Sequence, residues 1–129
     1  SEEACPMWVP LVENGEADSP GADYYVRKHL DALLCKDKAI DTIVLACTHY
    51  PLLRQKIKRL ITPSITVVSQ GEYVASSLQD YLGRHPEMDA RLSKSGSIRY
   101  LTTEQADKFA EKASVFLEEK VQAEQATID

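Results

Sequence analysis

The chain has 129 residues, of which 43% are hydrophobic and 27% charged, with a formal net charge of -5. That length suits one ordinary globular domain, and the acidic balance argues against a nucleic-acid partner, which needs clustered Lys and Arg against phosphate. No apolar run approaches the ~20 residues that cross a bilayer, and Ser-Glu-Glu at the start is not a signal peptide, so neither membrane nor secretion is expected. Three cysteines, Cys5, Cys35 and Cys47, are an odd and unevenly spaced set. They form no disulfide framework and point to a reducing compartment, with Cys5 and Cys35 as small buried hydrophobes.

Residues 1–18 carry an apolar segment broken by Pro6 and Pro10, which predicts irregular extended chain running into a turn at Asn14-Gly15. Glu13 there is either a carboxylate carried to a partly buried place or the first polar residue of that turn. Ser19-Pro20 is a helix start, with Ser19 at the N-cap and Pro20 at the first helical position. Ala22, Tyr25, Val26, Leu30, Leu33 and Leu34 then give an apolar stripe at helical spacing, and His29 lies beside it as a structural or exposed histidine.

Thr42 to Cys47 reads as a strand whose unbroken apolar character predicts burial on both faces. It stops on Cys47-Thr48-His49-Tyr50, and Pro51 opens a helix whose inward residues are Leu52, Leu53, Ile57, Leu60 and Ile61. Lys56, Lys58 and Arg59 form the densest basic group, expected as a solvated helix end complementing the dipole. Ile65 to Val68 is a second strand, Ser69-Gln70-Gly71 a second polar strand-to-helix turn, and the next helix carries Tyr73, Val74, Leu78, Tyr81 and Leu82 up to a C-cap at Gly83. A polar surface excursion with an exposed His85 occupies 84–97. A third strand, 97–101, and a last helix with Phe109, Ala113, Phe116 and Leu117 follow, and the tail from Val121 is expected to fray. The alternation implies an α/β fold: a three-layer parallel sheet with flanking helices, narrow and incomplete at three strands.

In such sheets ligands bind above the carboxyl ends of the strands, which is where Cys47, Thr48 and His49 arrive together. The thiolate is the reactive form of cysteine, favoured near a histidine or a helix N-terminus; a buried cysteine ending a strand is the plain alternative. Zinc is weakly suggested by Cys-x-His, since no second ligand pair exists. A Cys/His nucleophile is possible, although neighbours on a strand end diverge. Proton transfer at an acidic carbon asks less of the geometry. No glycine-rich phosphate loop is present, so a nucleotide cofactor is not expected.

Ala-Cys-Pro-Met-Trp-Val-Pro-Leu-Val-Glu at 4–13 and Leu-Ala-Cys-Thr-His-Tyr-Pro-Leu-Leu at 45–53 together resemble the C-terminal half of the glutamate racemases, in the aspartate/glutamate racemase family. The resemblance implies a cytoplasmic, cofactor-independent isomerase that interconverts L- and D-glutamate for peptidoglycan, and so for cell-wall biogenesis and cell shape. Two cysteines on opposite faces of the α-carbon exchange the roles of acid and base. Cys47 would be one of them, with His49 assisting the thiol, Thr48 binding the substrate and Glu13 as a nearby carboxylate. His49 favours glutamate, because aspartate racemases tend to carry an acidic residue after Cys-Thr.

The family's first cysteine has no counterpart here, and Ser69-Gln70-Gly71 departs from the Asp-Ser-Ala-like turn of many relatives. On the family pattern residues 1–63 belong to the second lobe and 64–129 return to the first, so the chain is expected to be part of a longer protein and inactive alone. The partner is then a small molecule, glutamate, without nucleic acid, membrane or metal; a homodimer stays open. The alternatives are an aspartate racemase or another Cys-dependent isomerase or hydrolase of this fold, and a non-catalytic interaction module.

Overall fold

The computed structural model describes residues 1–128, leaving Asp129 outside the account. The chain divides into two compact units, Ser1–Tyr81 and Leu82–Asp129. The boundary expected at 63/64 therefore falls inside the first unit.

The first unit opens with helix α1, Trp8–Glu13. The prolines were expected to exclude a helix, but Pro10 sits in the first turn, where the backbone N–H groups have no intrahelical partner to lose. Its carbonyl still accepts from the Asn14 N–H at 3.1 Å. Helix α2, Pro20–Lys36, starts as the sequence predicts: the Ser19 hydroxyl accepts from the Ala22 N–H at 3.1 Å, and Pro20 takes the first helical position. Its fully buried line is Ala22, Val26 and Leu30, spaced by four, while Tyr25, Leu33 and Leu34 lie at the half-buried margin.

Strand β1, Thr42–Leu45, pairs in parallel with β2, Thr66–Ser69, from Thr42 opposite Thr66 to Leu45 opposite Ser69. Ile43, Leu45, Val67 and Ser69 are buried on one face. Burial on both faces was expected of β1, yet Val44 is 56% exposed on the other. The apolar run is there, but its second side is only partly covered, Val68 being half-buried beside the open Val44. Between the strands the chain makes a 3₁₀ helix, Tyr50–Leu53, and then α3, Arg54–Leu60. Leu53 and Ile57, one helical step of four apart, have no solvent exposure and with Val26 are the largest fully buried side chains.

Lys56 corrects the reading of the basic group as a solvated face. It is 4% exposed, and its ammonium binds the Asp23 carboxylate in the first turn of α2, tying α3 to α2. That ammonium holds the Asp23 carboxyl below the usual range. A second tie anchors the amino-terminal segment: Glu3 Oε1 lies 2.8 Å from His29 Nδ1, and Glu3 Oε2 accepts from Lys36 Nζ at 2.7 Å. The Lys36 bond, with His29 second, lowers the Glu3 pKa. His29 is thus structural, one of the two readings its position allowed.

Helix α4, Gln70–Arg84, follows β2 without a break, carrying through Gly83, which was expected to end it. Its apolar stripe, expected to face inward, is exposed: Tyr73, Val74, Leu78 and Tyr81 are each at least 40% accessible. The pattern makes the helix amphipathic, but these four side chains stay largely open to solvent, and of the stripe only Leu82 is half-buried.

In the second unit, a short helix α5, Pro86–Asp89, interrupts the polar excursion, with His85 half-buried at its N-cap. Strand β3 is Tyr100–Thr102, shifted from the expected 97–101. It pairs in parallel with β4, Ala123–Gln125, across helix α6, Ala106–Leu117. The tail expected to fray thus completes a β-α-β unit, and Arg99 and Glu124 form an ion pair at 2.8 Å beside that pairing. Glu118 closes α6 in the left-handed region at φ 54°, the conformation that ends many helices. Ser114 Oγ bonds back to the Ala110 carbonyl and receives the Val121 N–H at 2.9 Å. The class is α/β with parallel strands, as predicted; the strands form two two-stranded sheets where one narrow three-stranded sheet was expected.

Candidate functional site

The strand β1 ends at Leu45, and Cys47-Thr48-His49 turn sharply before the 3₁₀ helix, the Tyr50 N–H donating to the Cys47 carbonyl at 3.2 Å. Neighbouring side chains on an extended strand end diverge. This turn instead brings Cys47 Sγ to 4.0 Å from His49 Nδ1. Thr48 Oγ1 lies 3.2 Å from the same nitrogen. On the other side of the ring, His49 Nε2 is 2.6 Å from Glu13 Oε1.

Glu13 comes from the last residue of α1, thirty-six positions away in sequence, so the open choice between a turn residue and a positioned carboxylate resolves to the second. An ionised carboxylate only accepts, so Nε2 carries the proton and, in the neutral ring, Nδ1 is the acceptor. The result is a chain of polar contacts from Glu13 through His49 to Cys47, with Thr48 on the side. Cys47, His49 and Glu13 are half-buried and Thr48 is exposed. The thiol therefore has an imidazole beside it and is partly open to solvent.

What holds α1 against this turn is aromatic. Trp8 is 3% exposed, donates Nε1–H to the Tyr25 carbonyl of α2 at 3.3 Å, and meets Tyr50 edge-on at a centroid distance of 4.8 Å. Tyr50 donates its hydroxyl to the Cys5 carbonyl at 3.3 Å. Burial, then the neighbouring thiols of Cys5 and Cys47, raises the Tyr50 pKa. Sequence reasoning passed over Trp8 and Tyr50 as site-building residues, and only the aromatic spacing within the two motifs hinted at them.

The other cysteines stand apart. Cys5 is buried, and burial, with the Glu3 charge second, pushes its thiol up to about 11. Cys35, expected to be buried, is instead exposed near the end of α2, off the Ala22, Val26 and Leu30 line that faces the core. A cleft of about 380 Å³ runs along β1 beneath Trp8, His29 and Tyr50, and its walls do not include Cys47, His49 or Glu13. Ser69, the counterpart position at the tip of β2, is buried, with Gln70 and Gly71 exposed after it. Among the described residues no group of three or more His, Cys, Asp or Glu is placed to hold a metal ion. No described helix is long and apolar enough to cross a membrane.

The α/β fold that carries this turn is similar to that of the glutamate racemases. In structure the chain superimposes on a glutamate racemase isoform from Bacillus anthracis with a TM-score of 0.80 and 28% identity, covering 98% of this chain and 46% of that one. The glutamate racemase of Thermus thermophilus, solved in complex with β-chloro-D-alanine, gives 0.77 and 29% over 98% of this chain and 46% of that one. In sequence the chain is 38% identical to the glutamate racemase of Paracoccus denitrificans over 122 residues, 95% of this chain and 43% of that protein. It is 39% identical to that of Shouchella clausii over 114 residues, 88% of this chain and 40% of that protein. By sequence and by fold, then, the chain is similar to the glutamate racemases, and it spans less than half the length of those it matches. No family model matches.

Proposed function

We propose that this chain supplies one wall of a glutamate racemase active site, with Cys47 exchanging a proton with one face of the substrate's α-carbon. The observation that carries the reading is the Glu13, His49, Cys47 relay, with separations of 2.6 and 4.0 Å, at the tip of β1. A carbon acid needs a base placed within reach and a means of holding its proton afterwards. The thiolate of Cys47 is that base; the imidazole, fixed by Glu13, shares the proton; Thr48, exposed beside them, holds the substrate's polar groups.

Racemisation needs a second acid/base on the opposite face. Neither remaining cysteine suits that part: the Cys5 thiol is buried and raised to about 11, and Cys35 lies at the far end of α2. The second group is assigned to the portion of the longer relatives that this chain does not span, and the chain alone is inactive. The activity is cofactor-independent, and the D-glutamate formed serves peptidoglycan synthesis in the cytoplasm.

The test joins this chain behind the amino-terminal portion of one of the matched racemases and follows deuterium entry and D-glutamate formation from L-glutamate in deuterated water. The chimera racemises, the isolated chain does not, and Cys47→Ser in the chimera lowers turnover by about 10²- to 10⁴-fold, the usual weight of a general acid/base. Undiminished turnover in the Cys47→Ser chimera would overturn the reading.

A further inference from the structure

We infer that Thr48 restrains Cys47: its hydroxyl and the thiol compete for one acceptor, Nδ1 of His49, and whatever draws the hydroxyl away hands that nitrogen to the thiol. Only the nature of the displacing group, an amino acid's carboxylate or ammonium, rests on the proposed function. The restraint itself rests on geometry.

Glu13 accepts from Nε2–H at 2.6 Å, which leaves the neutral imidazole a single in-plane lone pair at Nδ1. Two donors converge on it, Thr48 Oγ1 at 3.2 Å and Cys47 Sγ at 4.0 Å. A hydroxyl is the stronger donor and here also the closer one, whereas S–H is a weak donor even at its best distance. In the ligand-free protein the hydroxyl therefore takes the site. All three residues belong to one tight turn closed by the Tyr50 N–H at the Cys47 carbonyl, so the thiol stays close while it waits.

Thr48 is also the exposed member of the trio, the one an incoming polar group meets first. When its hydroxyl turns to such a group, Nδ1 becomes open to the thiol. The S–H bond then breaks as an N–H bond forms, giving a thiolate beside an imidazolium whose charge Glu13 offsets at the far nitrogen. No proton enters or leaves the trio. Thr48 is in this account a positioning residue for Cys47 as well as a contact for the ligand.

The test is alkylation of Cys47 by iodoacetamide at fixed pH in the whole chain without any amino acid, each cysteine quantified by mass spectrometry of its own peptide. Thr48→Val and Thr48→Ala remove the hydroxyl, and Cys47 should react about three- to tenfold faster in both, the weight of one hydrogen bond. Thr48→Ser keeps the hydroxyl and returns the wild-type rate. Adding His49→Asn to Thr48→Val abolishes the gain, which a merely loosened turn would not do. Protection of buried Cys5 in the same samples certifies the fold. A rate at or below wild type in both hydroxyl-less variants, or a gain that survives without His49, overturns the inference. Because no amino acid is present, an inactive chimera would count against the proposed function and leave this series unaffected.

Discussion

The first unit has two strand-to-helix turns that begin on the same rung of the sheet, Leu45 opposite Ser69, and they end differently. After β2 the chain enters α4 at once, burying Ser69 and leaving Gln70 and Gly71 facing solvent. After β1 it spends four residues in a loop and turn and then four more in a 3₁₀ helix before α3 begins. The slower exit gathers three polar side chains on one another, and α1 adds a fourth. A polar residue at a strand tip is thus a place for chemistry only when the backbone curls enough to converge its neighbours, and when a separate element brings a counter-charge.

The largest change to that contrast should come from Leu53, which closes the 3₁₀ helix with no solvent exposure. Leu53→Ala should cost about 2–5 kcal/mol, the range for emptying a packed leucine site, measured by urea unfolding. In a variant that remains folded, the Cys47 turn should lose its ordered state while the β2 exit keeps its own. A loss below 1 kcal/mol would show that the first turn holds itself without its core plug.

An intermediate effect should follow from alkaline pH, because Cys5, whose carbonyl receives the Tyr50 hydroxyl, has a thiol raised by burial to about 11 from an ordinary 9.0. The folded state binds the proton more tightly than the unfolded one, so stability is complete below about 9 and falls as pH climbs toward about 11. The loss should be on the order of 2 kcal/mol, and Cys5→Ala should flatten the slope between those limits, as read by urea unfolding at a series of pH values. Tyr50 adds to the slope in the same direction, since its pKa is raised too. A slope unchanged by Cys5→Ala would place the alkaline sensitivity elsewhere.

The smallest effect belongs to the second turn. Gly71 has no positive φ, and a Cβ built there meets nothing within 4 Å. Gly71→Ala should therefore stabilise by about 0.5 kcal/mol through the unfolded chain, seen as a higher urea midpoint. Destabilisation would mean that the β2 exit has a packing demand of its own.

Much of the site was legible because its parts are local. The strand of β1, though it ends at Leu45, two residues short of the expected Cys47, and the Ser19-Pro20 start of α2 follow from short-range sterics and capping. The Glu13 to His49 contact did not follow from pattern, since it depends on where α1 docks, and α1 itself hid behind Pro10. Lys56 read as a surface cation because composition cannot reveal that Asp23 waits opposite. Val44 and the α4 stripe mark the limit of periodicity in the other direction: an apolar pattern states that a surface favours cover, and Val44, Tyr73, Val74 and Leu78 stay more than half exposed. Strand β4 was missed because Ala-Glu-Gln has little strand character, and its pairing with β3 is a long-range event across α6.

Trp8 is the only tryptophan in the chain, and it lies buried against α2 and Tyr50. Its fluorescence is therefore a local reporter of the first unit, and the second unit is silent at the same wavelengths of indole emission. Far-ultraviolet circular dichroism sums both. Comparing the two signals through one denaturant titration separates the melting of the unit that carries Cys47 from that of its neighbour without any label, since coincident curves mean a single cooperative transition and displaced curves mean two.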